Sequence, residues 1–338
     1  MSSSIDLSPV PERARTPDGA LLSVAGLSVE VATSHGAVRL VEDVSFTIAP
    51  GEVLGLVGES GCGKSVTAMS LLRLLPEPPT RIAAGQIRFE GDDLARLGRR
   101  RLRALRGGRI GMIFQEPMTS LNPTYSIGWQ LAEALRLHTN LRGAALRARL
   151  PDLLRQVGIG AAERRLAQFP HELSGGLRQR VMIAMAIACA PRLLIADEPT
   201  TALDVTVQLQ VLDLLAKLRR ETGMAMLLIT HDLGVIAGFA DRVAVMYAGR
   251  IVETGATAAL FAAPRHPYTQ ALLAARPKLH GPRGALPAIP GSVPPPHARP
   301  PGCPFAARCP RSDAACTAAM PPLAGDAGHE VACWHKLP

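Results

Sequence analysis

Aromatic residues are scarce in this chain of 338: seven Phe, three Tyr and two Trp. Proteins that grip single-stranded nucleic acid stack bases on such rings. A formal net charge of +9 therefore does not by itself point to nucleic acid. The densest basic run, Arg99, Arg100, Arg101, Arg103, Arg106 and Arg109, reads instead as a solvated helix face. Long apolar runs are also missing. The longest, Val181 to Ala190, stops at Pro191-Arg192, whereas a spanning helix needs about 20 apolar residues; the chain is not expected to cross a bilayer by itself. The start, Met1-Ser2-Ser3-Ser4-Ile5-Asp6, lacks a basic segment followed by an apolar one. No export leader is expected, and the cytosol is the expected compartment. Internal repeats are absent.

Hydrophobic residues make up 47% of the chain, enough for a sizeable core. The length suits about two domains, or one with an appendage. Residues 1–20 carry Ser, Pro and Arg without periodicity and read as a loose tail. Short strands are predicted at Leu22–Val24, Leu27–Val31, Ala37–Val41 and Val44–Ile48. Val53 to Val57 is apolar apart from Gly55, as in a strand buried on both faces, and a helix is predicted from Lys64 to about Leu75. Ile110–Phe114, Leu193–Ala196 and Met226–Thr230 read as further inner strands. Helical patterns lie between them, which predicts an α/β core with a largely parallel sheet. A mostly helical stretch from about 119 to 188 is predicted as a helical subdomain. Past Gly255 prolines accumulate, and four of the six cysteines fall between 303 and 333. This region reads as a separate C-terminal appendage.

Gly58-Glu59-Ser60-Gly61-Cys62-Gly63-Lys64-Ser65 fits G-x-x-x-x-G-K-[ST]. Glycines let backbone N–H groups close around phosphate oxygens where side chains would block them. Lys64 would reach the β- and γ-phosphates, Ser65 would ligate Mg²⁺, and the helix that continues through Val66 points its positive end at the same anion. Leu193 to Glu198 is an apolar strand ending in two carboxylates. Asp197 suits the Mg²⁺ shell, and Glu198 suits orienting and polarising the attacking water. Leu173-Ser174-Gly175-Gly176-Leu177-Arg178-Gln179 is a small-residue turn opening a helix, a second ready-made γ-phosphate site.

That segment resembles the signature sequence of ATP-binding-cassette (ABC) ATPases, with Leu177 where peptide importers usually carry Met. The other family motifs follow in register. Phe114-Gln115-Glu116-Pro117 resembles the glutamine loop, Thr201-Ala202-Leu203-Asp204 the dimer-contact loop with Thr201 for a common Ser, and His231 the switch histidine. The resemblance implies a RecA-like P-loop NTPase core with antiparallel β and helical subdomains over 21–258. It implies a C-terminal domain of the oligopeptide-transporter type over 259–338. It makes Glu198, His231 and Gln115 catalytic, with Gln115 also sensing Mg²⁺. Ser174, Gly175, Gly176 and Gln179 would face the nucleotide of an opposite subunit, and Asp204 the dimer contact. An adenine-stacking residue is implied where His35 stands; the alternative for His35 is an exposed hairpin residue.

Three segments narrow the resemblance to bacterial dipeptide/oligopeptide permease ATPases: Gln115 to Pro123, Ala196 to Thr206 and Pro264 to Leu273. Met185 to Cys189 is most like the dipeptide branch, although nickel, glutathione and antimicrobial-peptide importers share the framework. The resemblance implies an ATP- and Mg²⁺-dependent ATPase at the cytoplasmic face of the inner membrane. Its partners would be a second ATPase, sibling or identical, two membrane permeases and an extracytoplasmic solute-binding protein. Cys303, Cys309, Cys316 and Cys333 lack the close pairs of most zinc sites. Thiolates on Pro-rich loops suit an iron–sulfur cluster, and some members of this group carry a [4Fe–4S] cluster at such a motif. Zinc and free packing thiols remain the alternatives. Rival readings are a non-transport cassette ATPase, against which the single cassette and short helical segment speak, and a subunit that binds nucleotide without turnover, against which Glu198 and His231 speak.

Overall fold

The computed structural model describes residues 19–34, 36–116, 120–201, 203–275, 288–326 and 328–337. The four short N-terminal strands merge into two. β1 (Leu22–Thr33) and β2 (Gly36–Ile48) pair antiparallel, and register shifts between Val24 and Leu27 absorb the break at Ala25-Gly26. Such an irregularity keeps apolar side chains directed inward on both sides of the kink. β4 (Thr80–Phe89) and the short β5 (Asp92–Asp93) complete a four-stranded sheet in the order β2-β1-β4-β5. β4 has no counterpart in the sequence expectations, because Ala83-Ala84-Gly85 interrupts its alternation.

The second sheet is built on β3 (Val53–Val57), β6 (Ile110–Ile113), β7 (Leu193–Asp197) and β8 (Ala225–Thr230), all parallel, with β9 (Arg242–Tyr247) parallel on the other side of β3. Alternate residues of β3 feed different layers. Val53 and Val57 join the core under the helices, and Leu54 and Leu56 join the core shared with the antiparallel sheet. The helices are α1 (Lys64–Leu71), α2 (Arg99–Leu105), α3 (Ile127–His138), α4 (Gly143–Gln156), α5 (Ala162–Leu166), α6 (Gly175–Ile187), α7 (Val205–Thr222) and α8 (Leu233–Phe239). α3 to α6 form the helical region. Helix α1 stops at Leu71 although leucines continue to Leu75. Arg73 has a φ of +49°, the Leu74 N–H returns to Met69 O, and the Arg106 guanidinium takes the freed Leu72 carbonyl with Nε at 2.8 Å. Arg106 therefore turns inward, while Arg99, Arg100, Arg101, Arg103 and Arg109 are exposed.

The C-terminal segment is not set apart from the core. After β10 (Arg250–Ala256) come α9 (Thr257–Ala262), α10 (Pro267–Ala274), α11 (Ala314–Ala318), β11 (Ala324–Asp326) and β12 (His329–Val331). β12 pairs with β10, so the sheet order is β11-β12-β10-β9-β3-β8-β7-β6. A buried carboxylate fixes this junction. Glu253 on β10 accepts from the Arg265 and His266 backbone N–H groups at 2.7 and 3.0 Å and meets His329 Nε2 at 2.8 Å. The expectation of a separate appendage is corrected: two strands of three residues each, too short to show a periodicity, complete the edge of the main sheet.

Candidate nucleotide site

The phosphate loop runs from the end of β3 into α1. Its glycines are demanded by space and by backbone angle. A Cβ on Gly58 would stand 2.1 Å from Met246 O, and Gly63 caps α1 with a φ of +108°. Lys64 is folded back, its Nζ donating to Gly58 O at 2.8 Å and Glu59 O at 3.1 Å. Cys62 is buried within the loop, and burial pushes its thiol pKa up. Ser65 Oγ donates to Asp197 Oδ1 at 3.1 Å. Burial, with Glu198 alongside, raises the Asp197 carboxyl above its ordinary 3.8, against the pull of Ser65 and Lys64.

Three side chains converge on one oxygen of Glu198. Gln115 Nε2 donates to Oε2 at 3.3 Å, Thr201 Oγ1 donates at 2.7 Å, and His231 Nδ1 lies 3.3 Å away. Glu198 is itself buried, with a φ of +47° that turns the chain sharply off the end of β7. A cavity of 190 Å³ opens between these groups. Ser60, Gly61, Gly63, Lys64, Ser65 and Val66 line it on one side, Gln115 and Glu198 on another, and Leu40 and Pro296 close its rim. Thr201, Leu40 and Pro296 were not anticipated in these positions. His35, Pro117–Thr119 and Ala202 lie outside the described residues.

The signature turn is elsewhere. Ser174 caps α6, its Oγ accepting from Leu177 N–H at 3.4 Å, and Ser174 and Gly175 are exposed with Gly176 partly so. None of the three lines the cavity. Gln179 corrects the expectation placed on it. It is buried and its Nε2 donates to Pro199 O, because the helical turn after Ser174 rotates it toward β7. Asp204 is exposed and caps α7 through Val207 N–H at 3.0 Å.

The four C-terminal cysteines, all free thiols, line one small cavity of 20 Å³ with Phe305, Ala306 and Pro321 among its walls. Burial, with the other thiols adding to it, pushes Cys303 up to about 11; burial also raises Cys316 and Cys333. Among the described residues, the group able to converge on a single ion is Asp313, Cys316 and His335. It takes in only one of the four thiols.

Residues 41–201 match the ABC transporter family, and residues 252–316 match the C-terminal region of oligopeptide/dipeptide transporters. A putative peptide import ATP-binding protein of Brucella abortus is 52% identical over 318 residues, covering 94% of this chain and 96% of its own length. This chain belongs to the ABC transporter family. Within that family, the dipeptide transport ATP-binding protein DppD of Escherichia coli K12 is 49% identical over 304 residues, 90% of this chain and 93% of its own. A solved ABC cassette, dimeric and in a post-hydrolysis state with ADP and Pi, matches with a TM-score of 0.63 at 26% identity. It covers 70% of this chain and 98% of its own. The cassette cbiO1 of Clostridium perfringens, part of the ABC transporter complex cbiONQ, matches at 0.60 and 28%, covering 72% and 91%. No helix among the described residues is long and apolar enough to cross a membrane.

Proposed function

We propose that this chain is the ATP-binding and ATP-hydrolysing subunit of an ABC importer of dipeptides or oligopeptides, working at the cytoplasmic face of the bacterial inner membrane. The observation that carries this reading is the extent of the likeness. The relative named for peptide import follows this chain over 94% of its residues, through the phosphate loop and the C-terminal region alike.

Lys64 is the mobile cation of the site. Its ammonium rests on two loop carbonyls and exchanges them for phosphate oxygens. Ser65 Oγ, Asp197 and the Gln115 amide offer hard oxygen donors, and the 3.1 Å Ser65–Asp197 contact already juxtaposes two of them; this set fits Mg²⁺, which would offset phosphate charge. Glu198 orients the attacking water and accepts its proton, while Gln115, Thr201 and His231 fix the carboxylate's position. The exposed turn at Ser174, Gly175 and Gly176 presents N–H groups to a second subunit's nucleotide, so turnover requires a pair, with Asp204 at the contact. The second ATPase is a sibling or a second copy. Two membrane permeases take up the closure through the Gln115 region, and a solute-binding protein delivers the cargo.

We also propose that Cys303, Cys309, Cys316 and Cys333 hold a [4Fe–4S] cluster. They line one cavity, yet do not converge on a single point as one zinc ion requires. Cluster thiolates bind separate irons, and the positive cluster would hold the buried thiols deprotonated. Iron and sulfide analysis of anaerobically purified protein tests this; an iron-free, colourless protein rejects it. For the main reading, the test is peptide uptake and ATP turnover by the reconstituted complex with Glu198 and with Glu198→Gln. Loss of both supports it, and unchanged turnover rejects it. Competition by dipeptides, nickel and glutathione separates the importer classes.

A further inference from the structure

We propose that Arg308 and Tyr268, both in the C-terminal lobe (the segment after β10, which packs on the core and extends its sheet), are positioning residues for the phosphate loop. The proposal rests on the reading of Gly58 to Ser65 as that loop. Glu59 is its second residue, and the lobe holds it at both ends. Arg308 binds the Glu59 carboxylate with two nitrogens, Nη1 to Oε2 at 2.7 Å and Nη2 to Oε1 at 3.0 Å. The Tyr268 hydroxyl accepts the Glu59 backbone N–H at 2.9 Å. The Glu59 carbonyl in turn accepts from Lys64 Nζ at 3.1 Å. The chain of contacts thus runs from the lobe, through one loop residue, to the cation that meets the phosphates.

The lobe presents Arg308 on a built platform. Its side chain is 5% exposed. Nε donates to Pro290 O at 2.7 Å, Nη2 to Ile289 O at 3.2 Å and Nη1 to Tyr247 Oη at 3.2 Å. The guanidinium carbon lies 5.8 and 5.9 Å from the Tyr247 and Phe305 ring centres. Tyr247, Tyr268 and Phe305 pack on one another with centroids 4.6 to 5.4 Å apart. A chain with so few aromatics places three of them here, including two of its three tyrosines.

Two effects follow. A planar fork on a carboxylate fixes the loop's entry geometry more tightly than a single bond does. The guanidinium also cancels a carboxylate that would otherwise face a polyanion across the loop. Removing Arg308 alone leaves that carboxylate uncompensated, so neutralising Glu59 in the same chain relieves part of the loss. A role confined to packing the lobe gives no such relief.

The test is a MgATP titration by calorimetry on the full chain, in a Glu198→Gln background that spares the nucleotide. Arg308→Met is expected to weaken binding about tenfold, Tyr268→Phe about threefold, and Arg308→Met with Glu59→Gln less than Arg308→Met alone. Binding by Arg308→Met within about twofold of the parent, or a double variant as weak as the sum of its parts, overturns the proposal. Should Arg308→Met not fold, Tyr268→Phe decides: weaker binding than the parent supports the proposal, and unchanged binding overturns it. A parent chain that does not bind MgATP rejects the phosphate-loop reading itself.

Discussion

The cavity at the phosphate loop and the turn at Ser174 are built in opposite ways. At the cavity, every charged group has a partner within its own subunit: Lys64 on loop carbonyls, Asp197 on Ser65, Glu198 among Gln115, Thr201 and His231. At the signature turn, Ser174 serves only as a helix cap and the turn faces solvent. Burying Lys64, Asp197 and Glu198 makes these charges effective and costly to desolvate, whereas an exposed turn costs little and does nothing until something covers it. On the proposed reading, the chain is half of a catalytic device whose buried half is assembled in advance.

The strongest way to break this comparison is Glu198→Gln. Turnover by the assembled pair should fall about 1000-fold, measured as phosphate release; a small loss would mean that the buried cluster is not the chemical centre. Ser174→Arg comes next. It should cut turnover of the pair about 100-fold while calorimetry on the isolated chain shows MgATP binding unaltered. Ser174→Ala separates capping from catalysis, since loss of the cap should cost about 1 kcal/mol in a denaturant titration. Asp197→Asn should do the reverse at the other half and raise the melting temperature of nucleotide-free protein at neutral pH. Because burial raises the Asp197 carboxyl above 3.8, its contribution to stability is present below that value and lost as pH rises through the raised one. The Asn variant's advantage should thus vanish in acid and grow toward neutral pH; an advantage independent of pH would rule out this cause.

The stability of the C-terminal lobe titrates differently. Burial depresses His266 from 6.5 to about 4, so the stability it contributes is present above 6.5 and lost as pH falls toward 4. Hydrogen exchange in the lobe should quicken across that window, and unchanged exchange would exclude His266 as the cause.

Much of the site was legible because its chemistry is local. Gly58 to Ser65 carries its own geometry in eight consecutive residues, and the strand before it is apolar for the reason that makes it central. Family resemblance supplied Gln115 and His231, which no spacing argument joins to Glu198. Gln179 misled because position in a motif does not give helix phase: five residues past the Ser174 cap, it points into the subunit. The contacts of Glu253, Tyr268 and Arg308 were not legible, although Tyr268 stands in the Pro264 to Leu273 segment, since each acts on a partner remote in sequence; Arg308 lies 249 residues from Glu59. Arg308 sits beside Cys309 and near Arg311, and nothing in that local pattern points to the phosphate loop.

That separation matters for how the chain is made. A ribosome completes the phosphate loop long before it adds Arg308, and β12 follows later still. Nascent chains leave the exit tunnel in order, and domains fold as their last strands arrive. If Arg308 steadies the loop as proposed, a polypeptide released before it would carry every nucleotide motif and yet bind ATP more weakly.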